Sequence, residues 1–119
     1  MKFVRSRAMI LAALLLSVAT MAAKPVNPPQ KFQVTASKFQ FEPNQITVKK
    51  GEPVTIVLTS NDVTHGLKIP DLHVEDTVKK GDSTEVTFTP DKTGTFQGKC
   101  AHFCGKGHGT MMFTVNVVD

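Results

Sequence analysis

The sequence predicts an all-β fold, a Greek-key β-sandwich of about seven to eight short strands. Three observations lead there. Segments rich in Val, Thr, Ile and Phe alternate apolar with polar residues, and turn signals carrying Gly or Pro recur between them. Beyond residue 30, no stretch shows the 3.6-residue apolar period of an amphipathic helix. Many short strands divided by turns, without helices to cover a sheet, bury their apolar faces against each other.

The elements follow in chain order. Lys2, Arg5 and Arg7 precede an apolar run at residues 8–19, and small residues follow at Thr20, Ala22 and Ala23. That is the build of an export signal over residues 1–23, because a spanning helix needs about 20 apolar residues. An uncleaved anchor is the alternative, and either way the remainder faces the outside of the cytoplasmic membrane. Residues 24–30, KPVNPPQ, hold three prolines and read as an extended tether. The domain proper then spans residues 31–119. Val54, Ile56 and Leu58 alternate with Thr55, Val57 and Thr59, as in a strand with one well-buried face. The turn signals KKGE at 49–52 and KKGD at 79–82 each precede a strand. Val86 and Phe88 point inward from the next strand, residues 94–100 follow another turn, and residues 111–118 close the domain.

Composition excludes several roles. The whole chain has a formal charge of +4, yet three of its 14 basic residues lie in the export segment, which leaves 11 against 10 acidic. A nearly neutral domain gives no reason to invoke nucleic acid or a polybasic membrane contact. No Cys-x-x-Cys-His, paired carboxylates or Ser/His arrangement is evident, so no catalysis is expected of the domain alone. With neither Trp nor Tyr, the core is left to Phe, Val, Ile and Leu.

One stretch concentrates chemistry. KCAHFCGKGHGTMMF, residues 99–113, holds both cysteines, two of four histidines and two of five methionines. Cys100, Cys104, His108 and Met111 are spaced by four, four and three, with Gly105, Gly107 and Gly109 among them to allow tight curling. His65, in NDVTHGLKIP, sits at a strand end that a sandwich can bring to the same place. The simplest reading of two cysteines in an oxidising compartment is a disulfide. Thiolates, imidazoles and a thioether together form a soft donor set that favours copper over hard cations. A mononuclear blue-copper site uses one Cys, two His and a weak axial Met, so the second Cys is one sulfur too many for it. If both thiolates bridge two ions, one His terminates each, and no position stays open for a substrate. A Cys2His2 zinc site would leave Met111 without a purpose.

The CAHFCGKGHGTM stretch resembles the dinuclear copper A loop of cytochrome c oxidase subunit II, and DVTHGLKIP is similar to the segment supplying that family's first His. The likeness extends through VKKGDSTEVTFTPDKTGTF and covers nearly the whole domain. It implies a cupredoxin-like β-sandwich with a mixed-valence pair of copper ions. Cys100 and Cys104 would bridge them, and His65 and His108 would each terminate one. Met111 would be a weak axial ligand, and the backbone carbonyl of His102 would face the other ion. Residue 102 is His where the family usually has Glu or Gln, and the family's aromatic patch for electron entry usually contains a Trp.

Met112 and Phe113 are expected to pack around the site, Phe103 to shield it from water and face a partner, and His73 to be exposed. The leading expectation is a monomeric, periplasmic or otherwise extracytoplasmic electron-transfer protein. Its partners would be redox proteins, a cytochrome c-like donor or an oxidase-type acceptor, with no nucleic acid and no membrane contact unless the N-terminal segment is retained. Copper delivery by a periplasmic cupredoxin, a mononuclear copper carrier and a disulfide-closed binding module are the alternatives.

Overall fold

The computed structural model describes residues 30–119, so the export segment and all but the last residue of the tether lie outside the described residues. Gln30, the end of the tether, opens the first strand. Nine strands form two facing sheets. One is β2-β1-β4-β7, with β1 at Gln30–Ser37, β2 at Gln40–Glu42, β4 at Val54–Ser60 and β7 at Ser83–Phe88. The other is β3-β9-β8-β5-β6, with β3 at Gln45–Lys49, β5 at His65–Ile69, β6 at Val74–Val78, β8 at Gly94–Lys99 and β9 at Met112–Val118. The count passes the expected seven to eight because the proline at 43 divides a short β2 from β3 within one extended stretch. Two short 3-10 turns, Pro70–Leu72 and His108–Thr110, are the only helical residues described.

Alternation does what the sequence required. Along β9, Phe113, Val115 and Val117 are buried while Met112, Thr114 and Asn116 face outward to varying degrees. From β4 opposite them, Val54, Ile56 and Leu58 are fully buried. Phe41 and Phe113 meet edge to face, with centroids 5.8 Å apart and planes at 71°, a pair contributing about 0.5–1.5 kcal/mol beyond its area. This pair carries the core up to the floor of the loop between β8 and β9.

Two parallel pairings make the Greek key: β1 runs beside β4 from Gln30↔Val54 to Ala36↔Ser60, and β3 beside β9 from Gln45↔Thr114 to Lys49↔Val118. They fix which connections share an end. The β1–β2 turn, the β4–β5 loop, the β6–β7 turn and the β8–β9 loop all gather at one end, as Ala36↔Ser60, Thr59↔Ser83, His65↔Val78 and Lys99↔Met112 require. His65 and Cys100 are 35 residues apart in sequence and would otherwise have no reason to meet, and here the topology brings them together.

Candidate metal centre

The β8–β9 loop is pinned at its base. Cys100 N–H donates to the Met111 carbonyl at 3.1 Å, continuing the ladder by one rung, and Ala101 N–H donates to the Gly66 carbonyl at 3.2 Å. Between these points the chain turns on Gly105, whose φ of +134° disfavours any side chain. Gly107 has an ordinary φ, but the Phe39 ring lies flat where its Cβ would be. The loop is thus folded against an aromatic residue from the β1–β2 turn. Gly109 has open space around it, so only two of the three expected glycines are structurally demanded.

The donors converge. Cys100 Sγ and Cys104 Sγ lie 3.8 Å apart, and both are free thiols buried to 2% and 7% exposure. A disulfide bond is about 2.05 Å long, so the sulfurs are neighbours without being joined. On the Cys100 side lie His65 Nδ1 at 3.9 Å and the His102 carbonyl oxygen at 3.1 Å. On the Cys104 side lie His108 Nδ1 at 3.8 Å and Met111 Sδ at 3.7 Å. Ligands held at tetrahedral angles by bonds of about 2.0–2.3 Å would lie about 3.3–3.8 Å apart, close to these separations. His65, Cys100 and Cys104 have their donor atoms all within 4.8 Å of one another. The set fits a soft ion, and it is compatible with a copper site.

Each donor has a cause. His65 begins β5 and is fully buried, with Nε2–H donating to Asp62 Oδ1 at 2.7 Å, which leaves Nδ1 to face the sulfurs. Asp62 is itself held: Lys38 N–H donates to Oδ2 at 2.6 Å and Val63 N–H to Oδ1 at 2.7 Å. The Ser60 hydroxyl closes the same loop by donating to the Val63 carbonyl. Burial pushes the Asp62 carboxyl up, but these backbone donors and His65 outweigh it and hold it below the ordinary value. Burial pushes the Cys104 thiol up to about 11, with the Cys100 thiol beside it adding to the effect. A metal entering there must displace a proton, so its binding strengthens as pH rises.

Every expected donor is at this end, but two expectations, for Met112 and Phe103, change. Met111 is fully buried, whereas Met112 is 43% exposed on the outer face and does not pack around the donors. Phe103 is 73% exposed and leans on His108 from outside, with centroids 5.7 Å apart, so it does not shield the thiols. The His102 side chain is exposed and bonds its neighbour's carbonyl through Nδ1, and only its main chain faces Cys100. His73 is exposed as expected, beside a cleft of about 230 Å³ at the opposite end with Asp71, Pro90 and Lys92. Asp62 was missed. Its signal was available as an Asp three residues before the His in NDVTH, a spacing that lets a loop carboxylate reach back to the ring.

The profile of the Cupredoxin-like domain matches residues 7–112. The chain belongs to the cupredoxin-like domain family. Among curated proteins this cupredoxin is 44% identical over 70 residues to "Probable cytochrome c oxidase subunit 2" of Streptomyces coelicolor, covering 59% of this chain and 22% of that one. It is 32% identical over 86 residues to cytochrome c oxidase subunit 2 of Thermus thermophilus, covering 72% and 64%. The chain therefore spans only part of those relatives, about a fifth in the first case. Among solved structures, the periplasmic domain of subunit II of cytochrome oxidase from Bradyrhizobium japonicum superposes with a TM-score of 0.71 at 22% identity, over 79% of this chain and 88% of that one. The cupredoxin thus resembles the copper A domain of oxidase subunit II in sequence, and the shared fold agrees. Among the described residues, no helix is long and apolar enough to cross a membrane.

Proposed function

We propose that this cupredoxin is an extracytoplasmic electron-transfer protein whose centre is a pair of copper ions bridged by Cys100 and Cys104. One observation carries the reading: a single close sulfur pair is flanked by two separate sets of donors, His65 with the His102 carbonyl and His108 with Met111. A mononuclear site would draw on both imidazoles, Met111 and one sulfur, and would leave the second buried thiol without a role. Copper would supply a one-electron couple shared across both ions, with its charge largely offset by two thiolates.

The protein's own residues do the rest. Asp62 fixes the ring plane and tautomer of His65 through its Nε2–H. Met111 and Phe113, both fully buried, close the inner side of the donors to water. The pinned base of the loop keeps the sulfurs at one separation, which limits movement when charge changes. The named relatives suggest where this serves: redox proteins as partners, with a haem-copper oxidase as one acceptor.

The test is anaerobic copper loading of the reduced protein with absorption and electron paramagnetic resonance spectra. The expected result is saturation at two equivalents and a purple protein whose unpaired electron couples to two copper nuclei. Saturation at one equivalent with a thiol still open to alkylation would overturn it.

A further inference from the structure

The described residues carry ten lysines and ten carboxylates, so the domain is neutral, yet its charges are not evenly placed. In the connections at the metal end, Lys38, Lys79, Lys80 and Lys106 are exposed and face only two carboxylates, Asp62 and Asp82. Asp62 already has both oxygens engaged by Lys38 N–H, Val63 N–H and His65. On the outer sheet face just below, Lys68 and Lys99 are direct cross-strand partners of β5 and β8. Lys68 also has Glu75 of β6 directly opposite on its other side, so Lys99 is the one of the two without a carboxylate as a cross-strand partner, and like charges placed directly opposite repel. At the far end the balance reverses: Lys49, Lys50 and Lys92 are met by Glu52, Asp71, Asp91 and Asp119. Amid the lysines of the metal end stand Phe103, 73% exposed, and Phe39, 37% exposed over the ligand loop.

We propose that this end is a docking face for a redox protein whose own contact surface is acidic around an apolar centre. The proposal rests on the copper reading only for its purpose, since the face exists without metal. Unpaired basic residues steer an acidic partner and fix its orientation, while the two phenylalanines supply the water-free middle that a rim of charge surrounds. Because the domain as a whole is neutral, any attraction arises from this local distribution. An anionic membrane surface would answer the same charges. The face is not favoured for it, because its exposed aromatics are two residues on separate loops instead of a continuous apolar stripe.

The experiment measures binding of two haem proteins, cytochrome b5 with its acidic haem edge and a mitochondrial cytochrome c with a basic one, to the full-length metal-free protein. Expected is binding to cytochrome b5 at least tenfold tighter than to cytochrome c at about 20 mM salt, weakening at least tenfold by about 200 mM. Lys79→Glu/Lys80→Glu/Lys106→Glu should abolish the preference. Lys49→Glu/Lys50→Glu/Lys92→Glu, at the far end and with the same net change, should leave it. Circular dichroism confirms folding of each variant. No preference, equal loss in both triple variants, or cosedimentation with phosphatidylglycerol vesicles at physiological salt that the Lys79→Glu/Lys80→Glu/Lys106→Glu variant loses would overturn the proposal. Binding needs no copper, so its failure is separable from failure of the two-copper reading. In the loaded protein, the one-electron transfer from reduced cytochrome b5 to the oxidised copper pair should follow the same salt dependence.

Discussion

On the Cys100 side of the sulfur pair the imidazole comes from 35 residues away, is fully buried and is gripped by a carboxylate; on the Cys104 side it comes from four residues away and is partly exposed. The first half is built by the fold and the second by the loop. Sheet topology must be complete before His65 can meet Cys100, whereas Cys104, His108 and Met111 need only a correctly curled segment. The remote half would therefore tie a bound metal to folding, and the local half would leave it an exposed edge.

The comparison can be broken at its shared element first. Cys104→Ser should lower copper capacity from two equivalents to one and remove the two-nucleus resonance, read by titration and spectroscopy. Next in size, the two histidines should part company in the metal-free protein. His65→Ala leaves a cavity and an Asp62 carboxylate short of a donor, costing about 2–4 kcal/mol in denaturant unfolding. His108→Ala should cost less than about 1 kcal/mol. Equal costs would mean that both halves are local.

Asp62→Asn sharpens the contrast further, lowering copper affinity about 10–100-fold in competition with a chelator. Its pH dependence has a definite sign. A carboxyl held below its ordinary value stabilises the fold fully above the unfolded-chain value of about 3.9, and loses that contribution as pH falls through to the depressed folded value. The melting temperatures of the metal-free wild type and Asp62→Asn should therefore differ at pH 6 and converge toward pH 3. The smallest effect on the copper centre belongs to Met111→Leu, a near volume-conserving change that costs less than about 1.5 kcal/mol of stability. It should shift the reduction potential and keep the purple colour.

Much of this was legible before any coordinates. The sulfur and imidazole groups that the fold gathers could be picked out by type and spacing, and period-two alternation located β4 and β7. What stayed hidden was set by direction. Asp62 acts through a loop whose hydrogen bonds follow no period. Phe103 is apolar and adjacent to the thiols, but the loop turns it outward. Phe39 was one aromatic among several in an extended stretch, and its place over Gly107 depends on two connections meeting across the sandwich. Met112 was recoverable, since alternation run backward from Val115 through Phe113 puts it outside.

The single rung between Cys100 and Met111 has a wider meaning. Because the segment leaves and re-enters the sheet at touching points, its length is insulated from the register of the strands that carry it. A replacement cassette would therefore have to keep only its few ties to the frame, a small residue under Phe39, the Ala101–Gly66 hydrogen bond and a first sulfur facing His65, while the strands beneath stay as they are.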